Sequence, residues 1–190
     1  MSINYIFIGN FAYFYVFSDF IFLTNNSSTD IINTVIKMIF SWADYDISMD
    51  FVETWLDDEA VRVTGLDDGF RDFYEYWANE NIPGTNYWCK VVSENDKPFA
   101  VITIGKDENR FIFMEFVIAP DMRNQGKGTL ILKELLKESK IILGQEIESA
   151  EAVIFPSNPA SQKAFEKAGF KFSHADEDGD AFYYIFGKQK

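Results

Sequence analysis

Between residues 86 and 119 the chain passes through three strand-like runs: NYWCKVV at 86–92, PFAVITIG at 98–105 and RFIFMEFVIA at 110–119. The pieces between them, SENDK and KDEN, are short enough for an antiparallel meander. The third run then enters APDMRNQGKG and continues as TLILKELL, so the meander ends in a glycine-containing turn that opens a helix over 129–139. Further on, the pattern predicts a strand at 150–155, a helix at 159–168 and two last strands around 170–172 and 181–186. Upstream, IKMIFSWA predicts a first strand, and DISMDFVETWLDDEAV sets Met49, Phe51, Val52, Trp55 and Leu56 at helical spacing. A second helix over DDGFRDFYEYWANEN is stopped by Pro83 and Gly84. With 190 residues, 47% of them hydrophobic, the order describes one mixed α and β domain with a substantial core.

The first 35 residues stand apart. Residues 1–23 are crowded with aromatic side chains and carry Asp19 as their only charge, a length that suits a membrane segment. Asn4, Asn10, Ser18 and Asp19 interrupt the run, and no Lys or Arg precedes Lys37 to form a signal-peptide leader. TNNSSTD at 24–30 has the composition of a linker. An anchor, an extra packed element and sequence upstream of a start at Met38 all remain open, so the expected division is an extension over 1–35 and a domain over 36–190.

Charge and rare residues narrow the function. The formal net charge is −13, but residues 44–80 hold twelve Asp/Glu against two Lys/Arg, whereas residues 121–171 hold seven against eight. Nucleic acid is not an expected partner, because phosphate backbones call for basic patches that are missing here. Cys89 has no second cysteine to pair with and His174 is the one histidine, so neither an internal disulfide nor a His/Cys metal site is expected, and a reducing cytoplasm is. His174 itself reads as an exposed loop residue.

The turn RNQGKG, lying between a strand and a helix, presents unpaired backbone N–H groups at the positive end of a helix dipole. Such a cradle binds phosphate through main-chain donors and does not require a basic protein. Gly126 and Gly128 permit close approach, while Arg123 and Lys127 can add charge beside Asn124, Gln125 and Thr129. A tight turn alone would also explain the glycines. The turn has neither the Gly-Lys-Ser/Thr ending of a P-loop nor the third glycine of a dinucleotide fingerprint.

A second segment, FPSNPASQKAFEKAGFKF at 155–172, places Asn158, Ser161, Phe165, Gly169 and Phe170 at offsets of 0, 3, 7, 11 and 12. Singly, Asn158 before Pro159 is a helix N-cap and Gly169 a C-cap. Together with Arg123-x-x-Gly126-x-Gly128 upstream, the segment resembles the GNAT superfamily of acyl-CoA-dependent N-acyltransferases over residues 36–187. The resemblance implies an α+β fold whose central mixed sheet is antiparallel through four strands, with helices on both faces. It implies that the first motif wraps the pyrophosphate of acetyl-CoA, and that the helix carrying Asn158, Ser161 and Phe165 lines the coenzyme arm. The coenzyme would sit where the strand at 110–119 parts from that at 150–155.

The implied reaction is attack of a primary amine on an acetyl thioester, which needs a neutral amine, an oxyanion donor and a proton for the thiolate. Glu115 is the candidate base, since it is the one charge in the apolar run FIFMEFVIA, where an unpaired carboxylate is costly to bury. A structural ion pair is the competing role. Strand alternation places Glu115 on one face with Phe113 and Val117, and Phe116 and Ile118 on the other. By the resemblance, the oxyanion donor is a backbone N–H in the stretch Phe116, Val117, Ile118. The family's tyrosine is replaced by Phe165, so either Tyr183 or Tyr184 becomes the candidate acid, with packing as their alternative role, or water serves. The acceptor site would be the acidic, aromatic region 44–80, with Asp67, Asp68, Tyr74 and Trp77 facing a polyamine, an aminoglycoside or a lysine side chain. An ordinary solvated acidic surface is the alternative there. A non-catalytic acyl-CoA-binding module, a membrane-associated acyltransferase and a homodimer stay open.

Overall fold

The computed structural model of the chain describes residues 4–8, 11–16, 20–21, 38–46, 50–56, 86–108 and 110–188, within two compact units, Met1–Ile39 and Phe40–Lys190. In the first unit β1 (Asn4–Ile8), β2 (Phe11–Val16) and β3 (Phe20–Ile21) form an antiparallel sheet in that order. Aromatic and β-branched side chains suit a pleated surface, and the run forms strands. Among the described residues no helix is long and apolar enough to cross a membrane.

The second unit is built on β4 (Ser41–Asp44), β5 (Tyr87–Glu94), β6 (Lys97–Lys106), β7 (Phe111–Ile118), β8 (Ser149–Ile154), β9 (Lys171–Ala175) and β10 (Phe182–Gly187). Their order in the sheet is β4-β5-β6-β7-β8-β10-β9. The first four strands are antiparallel, as expected, and β7 with β8 is the parallel pair. Two α-helices are described, α1 (Lys127–Ile142) and α2 (Pro159–Ala168). The fold is mixed α+β, with a mostly antiparallel sheet. Of the two helices expected before the meander, the first is described only as a 3₁₀ turn over Asp50–Trp55, and the second lies outside the described residues. The first strand also begins later than its sequence pattern suggests, at Ser41.

The hairpin between β5 and β6 is tighter than the sequence run SENDK implies. Asn95 and Asp96 both adopt positive φ, 51° and 60°, and connect Glu94 directly to Lys97. This left-handed pair matches the right-handed twist of the flanking strands, which is why Asn and Asp are favoured there.

β6 runs through the centre of the core. Val101, Ile102, Thr103 and Ile104 are all at 0% exposure, and since neighbours on a strand face opposite ways, both faces of β6 are covered. Ile131, Leu132 and Leu135 supply the buried stripe of α1. Each such aliphatic side chain contributes about 1.5–3 kcal/mol by leaving water. Polar ties fix α1 to the sheet: the Glu134 carboxylate accepts from Phe40 N–H at 3.2 Å and from Trp42 Nε1–H at 3.0 Å. Trp88 Nε1–H donates to the Leu143 carbonyl at the far end of the helix.

Candidate functional site

β7 and β8 are paired only from Phe111 to Phe113, opposite Ala150 to Ala152. Beyond that point they part, and a cavity of about 70 Å³ lies in the opening. Phe113, Met114, Glu115 and Phe116 line it from β7, Ala152 to Phe155 from β8 and the turn after it, and Asn158, Ser161 and Phe165 from α2. The opening is where the sequence expectation put the coenzyme.

A β-bulge shapes the β7 side. Phe113 pairs with Ile104 and Glu115 with Thr103, so Met114 has no partner on β6. Cross-strand partners share a face, and Ile104 and Thr103 are neighbours on β6 that face opposite ways. Glu115 therefore lies on the face opposite Phe113, which corrects the expectation that the two share one. Val117 stays with Glu115, and Phe116 and Ile118 share the other face with Phe113. The bulge is the reason: one extra residue reverses the alternation.

The Glu115 carboxyl is half-buried, and burial pushes it up to about 8 from an ordinary 4.5. Among the described residues it forms no ion pair. Its main-chain N–H donates to Thr103 Oγ1 at 3.0 Å.

The ladder also sorts the main-chain donors of β7. Ala119 N–H donates to the Phe99 carbonyl, and bonded residues recur every second position in an antiparallel pair. Val117 N–H thus belongs to the β6 ladder, while those of Phe116 and Ile118 point away from β6 into the opening. The Ile118 carbonyl points the same way and accepts from Arg123 Nε–H at 2.9 Å.

The cradle follows. Gly126, at φ 76°, is the N-cap of α1 and makes no side-chain capping bond, and Asn124 is also left-handed at φ 60°. The N–H groups from Asn124 through Gln125, Gly126, Lys127, Gly128 and Thr129 donate to no acceptor among the described residues. A Cβ at Gly126 would meet nothing within 4 Å, so the loop is open on that side. A Cβ at Gly128 would come within 3.3 Å of Ile118 Cδ1 and 3.5 Å of Phe116 Cε1, so this glycine lets α1 approach β7. The basic side chains are engaged elsewhere. Arg123 also donates to the Trp55 carbonyl, and Lys127 Nζ pairs with Glu94 at 2.5 Å and lies over the Phe40 and Phe99 rings. Gln125 Nε2–H donates to the Asp121 carbonyl. The cradle is thus a main-chain device.

On α2 the capping residues behave as their sequence suggests. Asn158 Oδ1 accepts the Ser161 N–H at 3.0 Å, and Gly169 closes the helix at φ 108°. Phe165, 3% exposed, meets Phe113 and Phe170 edge to face at 5.6 and 4.9 Å, so the ring at the family's tyrosine position is a packing element. Tyr183 and Tyr184 do not line the cavity. They stand on β10, beyond β8. Tyr183 stacks on His174 at 4.4 Å, which places that exposed histidine on strand β9 and not in a loop. Tyr184 is 3% exposed beside Phe172, and burial, followed by the Glu166 carboxylate, pushes its phenol above the usual range. Asp67, Asp68, Tyr74 and Trp77 lie outside the described residues. Two features escaped the sequence reading, the Met114 bulge and the Thr103 contact, and only cross-strand pairing reveals them.

Comparison with known proteins agrees with this geometry. The profile of the acetyltransferase (GNAT) family matches residues 49–170, which span the bulge, the cradle and α2. No curated protein matches the chain by sequence. Among solved structures, the fold is similar to that of spermidine N-acetyltransferase from Vibrio cholerae in complex with CoA and spermine. That similarity has a TM-score of 0.61 at 16% identity, over 78% of this chain and 95% of the other. It is similar too to aminoglycoside acetyltransferase AAC(6')-Ib in complex with coenzyme A and kanamycin, with a TM-score of 0.60 at 15% identity, over 78% and 95%. The Campylobacter jejuni N-acetyltransferase PseH gives a TM-score of 0.57 at 14% identity, over 80% and 100%. Identities this low speak to the fold alone, whereas the family profile covers most of the chain. With the parted strands, the cradle and α2 all inside that match, the chain belongs to the acetyltransferase (GNAT) family.

Proposed function

We propose that this acetyltransferase moves the acetyl group of acetyl-CoA to a primary amine on a small cationic acceptor, of the polyamine, aminoglycoside or lysine type. The observation that carries the reading is the opening between β7 and β8. It brings Glu115 and the outward N–H groups of Phe116 and Ile118 together, with the free N–H run of Asn124 to Thr129 following on from the end of β7. Acetyl-CoA, when bound, supplies an activated thioester. The cradle suits its pyrophosphate because main-chain donors at a helix N-terminus hold an anion without a basic surface. Asn158, Ser161 and Phe165 would flank the coenzyme arm.

An alkylamine with a pKa near 10 is neutral only about once in a thousand at pH 7, so a base is needed. Glu115 serves as that base, accepting a proton from the incoming ammonium directly or through water. Its face of the sheet is opposite that of Phe113 and Phe116, so base and coenzyme-side packing approach the opening from different sides. The Phe116 N–H, or that of Ile118 beside it, is directed at the acetyl oxygen as negative charge develops there. Tyr183 and Tyr184 take no part in this scheme; the amine nitrogen bonds to the acetyl carbon as its bond to sulfur breaks, and the departing coenzyme A thiolate takes a proton from water.

For the acceptor, residues 44–80 supply the field: twelve acidic residues against two basic ones, with Asp67, Asp68, Tyr74 and Trp77 as proposed contacts. The similar folds of enzymes named for spermidine and for aminoglycosides support a polycationic acceptor. Cys89, the single cysteine and a buried one, suits a reducing compartment, and the cytoplasm is the proposed location.

A thiol-release assay with acetyl-CoA and spermidine, kanamycin, Nα-acetyl-lysine and an uncharged amine tests the proposal. Turnover that favours the polycations is expected. Acetyl-CoA binding without turnover on any amine would instead support a non-catalytic binding module.

A further inference from the structure

We propose that Thr103 is a positioning residue for acetyl transfer: its buried hydroxyl accepts the main-chain N–H of Glu115 at the bulge, and this bond holds the Glu115 carboxyl and the neighbouring Phe116 N–H at the opening. The proposal rests on Glu115 acting as base.

In a regular ladder the recurrence of bonded pairs, set by Ala119 and Phe99, would bring the Glu115 N–H to the Thr103 carbonyl. The register stays regular through Glu115 and Thr103 and shifts immediately beyond them, at Met114. At this last regular pair the Thr103 hydroxyl accepts the Glu115 N–H at 3.0 Å, at a place where an N–H without an acceptor would be costly. Thr103 is at 0% exposure between Ile102 and Ile104, also at 0%. Valine has the same shape and would bury there without a polar group, so packing alone does not favour a hydroxyl at this position. What the hydroxyl adds is the bond that lets β7 carry its bulge. Because the bulge reverses the alternation, it also determines which face Glu115 occupies. In the row across the sheet, Glu115 pairs with Thr103 and Thr103 with Cys89. Cys89 is a titratable group in that row, and burial pushes its thiol up, so it stays neutral and adds no charge. The carboxyl's environment is therefore set by where the bulge holds it.

The test is an infrared pH titration of the full chain, following the protonated carboxyl band assigned to Glu115 by its loss in Glu115→Gln. In the wild type the midpoint is expected near about 8. Thr103→Val removes the hydroxyl, releases the bulge and should lower the midpoint by about one pH unit or more toward an ordinary glutamate. Thr103→Ser restores the hydroxyl and should return the midpoint to the wild-type value. A folded Thr103→Val with an unshifted midpoint overturns the proposal, as does a Thr103→Ser that shifts like the valine variant. If Thr103→Val does not fold, Thr103→Ala is read against Thr103→Ser in the same way. Failure of the base assignment looks different: Glu115→Gln would then retain full turnover in the amine panel, whatever the Thr103 variants do.

Discussion

The carboxylate of Glu134, 6% exposed on α1, accepts the main-chain N–H of Phe40 across 94 residues of sequence. Its second bond, to Trp42 Nε1–H, fastens the edge strand β4 to a helix that begins at the cradle. Glu134→Ala leaves the Phe40 N–H buried without this acceptor and should destabilise the protein by about 3 kcal/mol, whereas Glu134→Gln keeps one acceptor oxygen and should cost about 1 kcal/mol. Urea unfolding of the two variants measures the difference.

The two cradle glycines should respond differently to substitution. Gly126 sits at φ 76° with open space around it, so the cost of Gly126→Ala is backbone strain, about 1 kcal/mol, and Gly126→Asn should recover part of it. Gly128 has helical backbone but is crowded by Ile118 and Phe116. Gly128→Ala needs only a small movement of the Ile118 side-chain tip, while Gly128→Val overpacks the contact and should cost about 1–3 kcal/mol. Thermal unfolding separates strain from crowding. Acetyl-CoA affinity should fall with Gly128→Val, because pushing α1 off β7 displaces the donors.

These positions also show how far the sequence is legible. The limits of α2 could be read because the signals are local: Asn158 with Pro159 starts it and Gly169 ends it. The meander was equally readable from its strand-like runs and short connections. The Met114 bulge was not, because nothing in FIFMEFVIA marks where alternation reverses. That one insertion put Glu115 on the face opposite Phe113, where alternation alone had them share one. The Arg123 and Lys127 charges looked available for a phosphate, but Ile118, Trp55 and Glu94 occupy them, and those partners lie 5 to 68 residues away. Likewise the Glu134 tie spans distances at which no spacing rule operates.

The Glu115 carboxyl makes stability and activity depend on pH in opposite directions. Held up to about 8 in the folded protein against 4.5 when exposed, it keeps its proton in the native state across that window while the unfolded chain has lost it. The native state then binds more protons, so stability is fully present below about 4.5 and declines as pH rises to about 8. Turnover should rise over the approach to pH 8 as the base form accumulates. Glu115→Gln should remove this part of the stability slope and the rise in rate together. Unfolding free energies and kcat/KM measured from pH 5 to 9 on both proteins provide the check.

Asn158 combines two roles that a pair of substitutions can separate. Its Oδ1 caps α2 through the Ser161 N–H, and the same side chain lines the cavity between the parted strands. Asn158→Ala removes both functions and should cost about 1 kcal/mol of stability as well as acetyl-CoA affinity. Asn158→Asp keeps the capping oxygen and places a negative charge at the favourable end of the α2 dipole, so stability should stay within about 0.5 kcal/mol of wild type. It loses the amide donor, however, and adds an anion beside the proposed path of an anionic coenzyme. The expected result is an unchanged melting temperature with acetyl-CoA binding weakened by about tenfold, about 1.4 kcal/mol. If calorimetry instead finds wild-type affinity in a fully capped Asn158→Asp protein, Asn158 is a helix cap only, and the coenzyme arm is held by other residues of the opening.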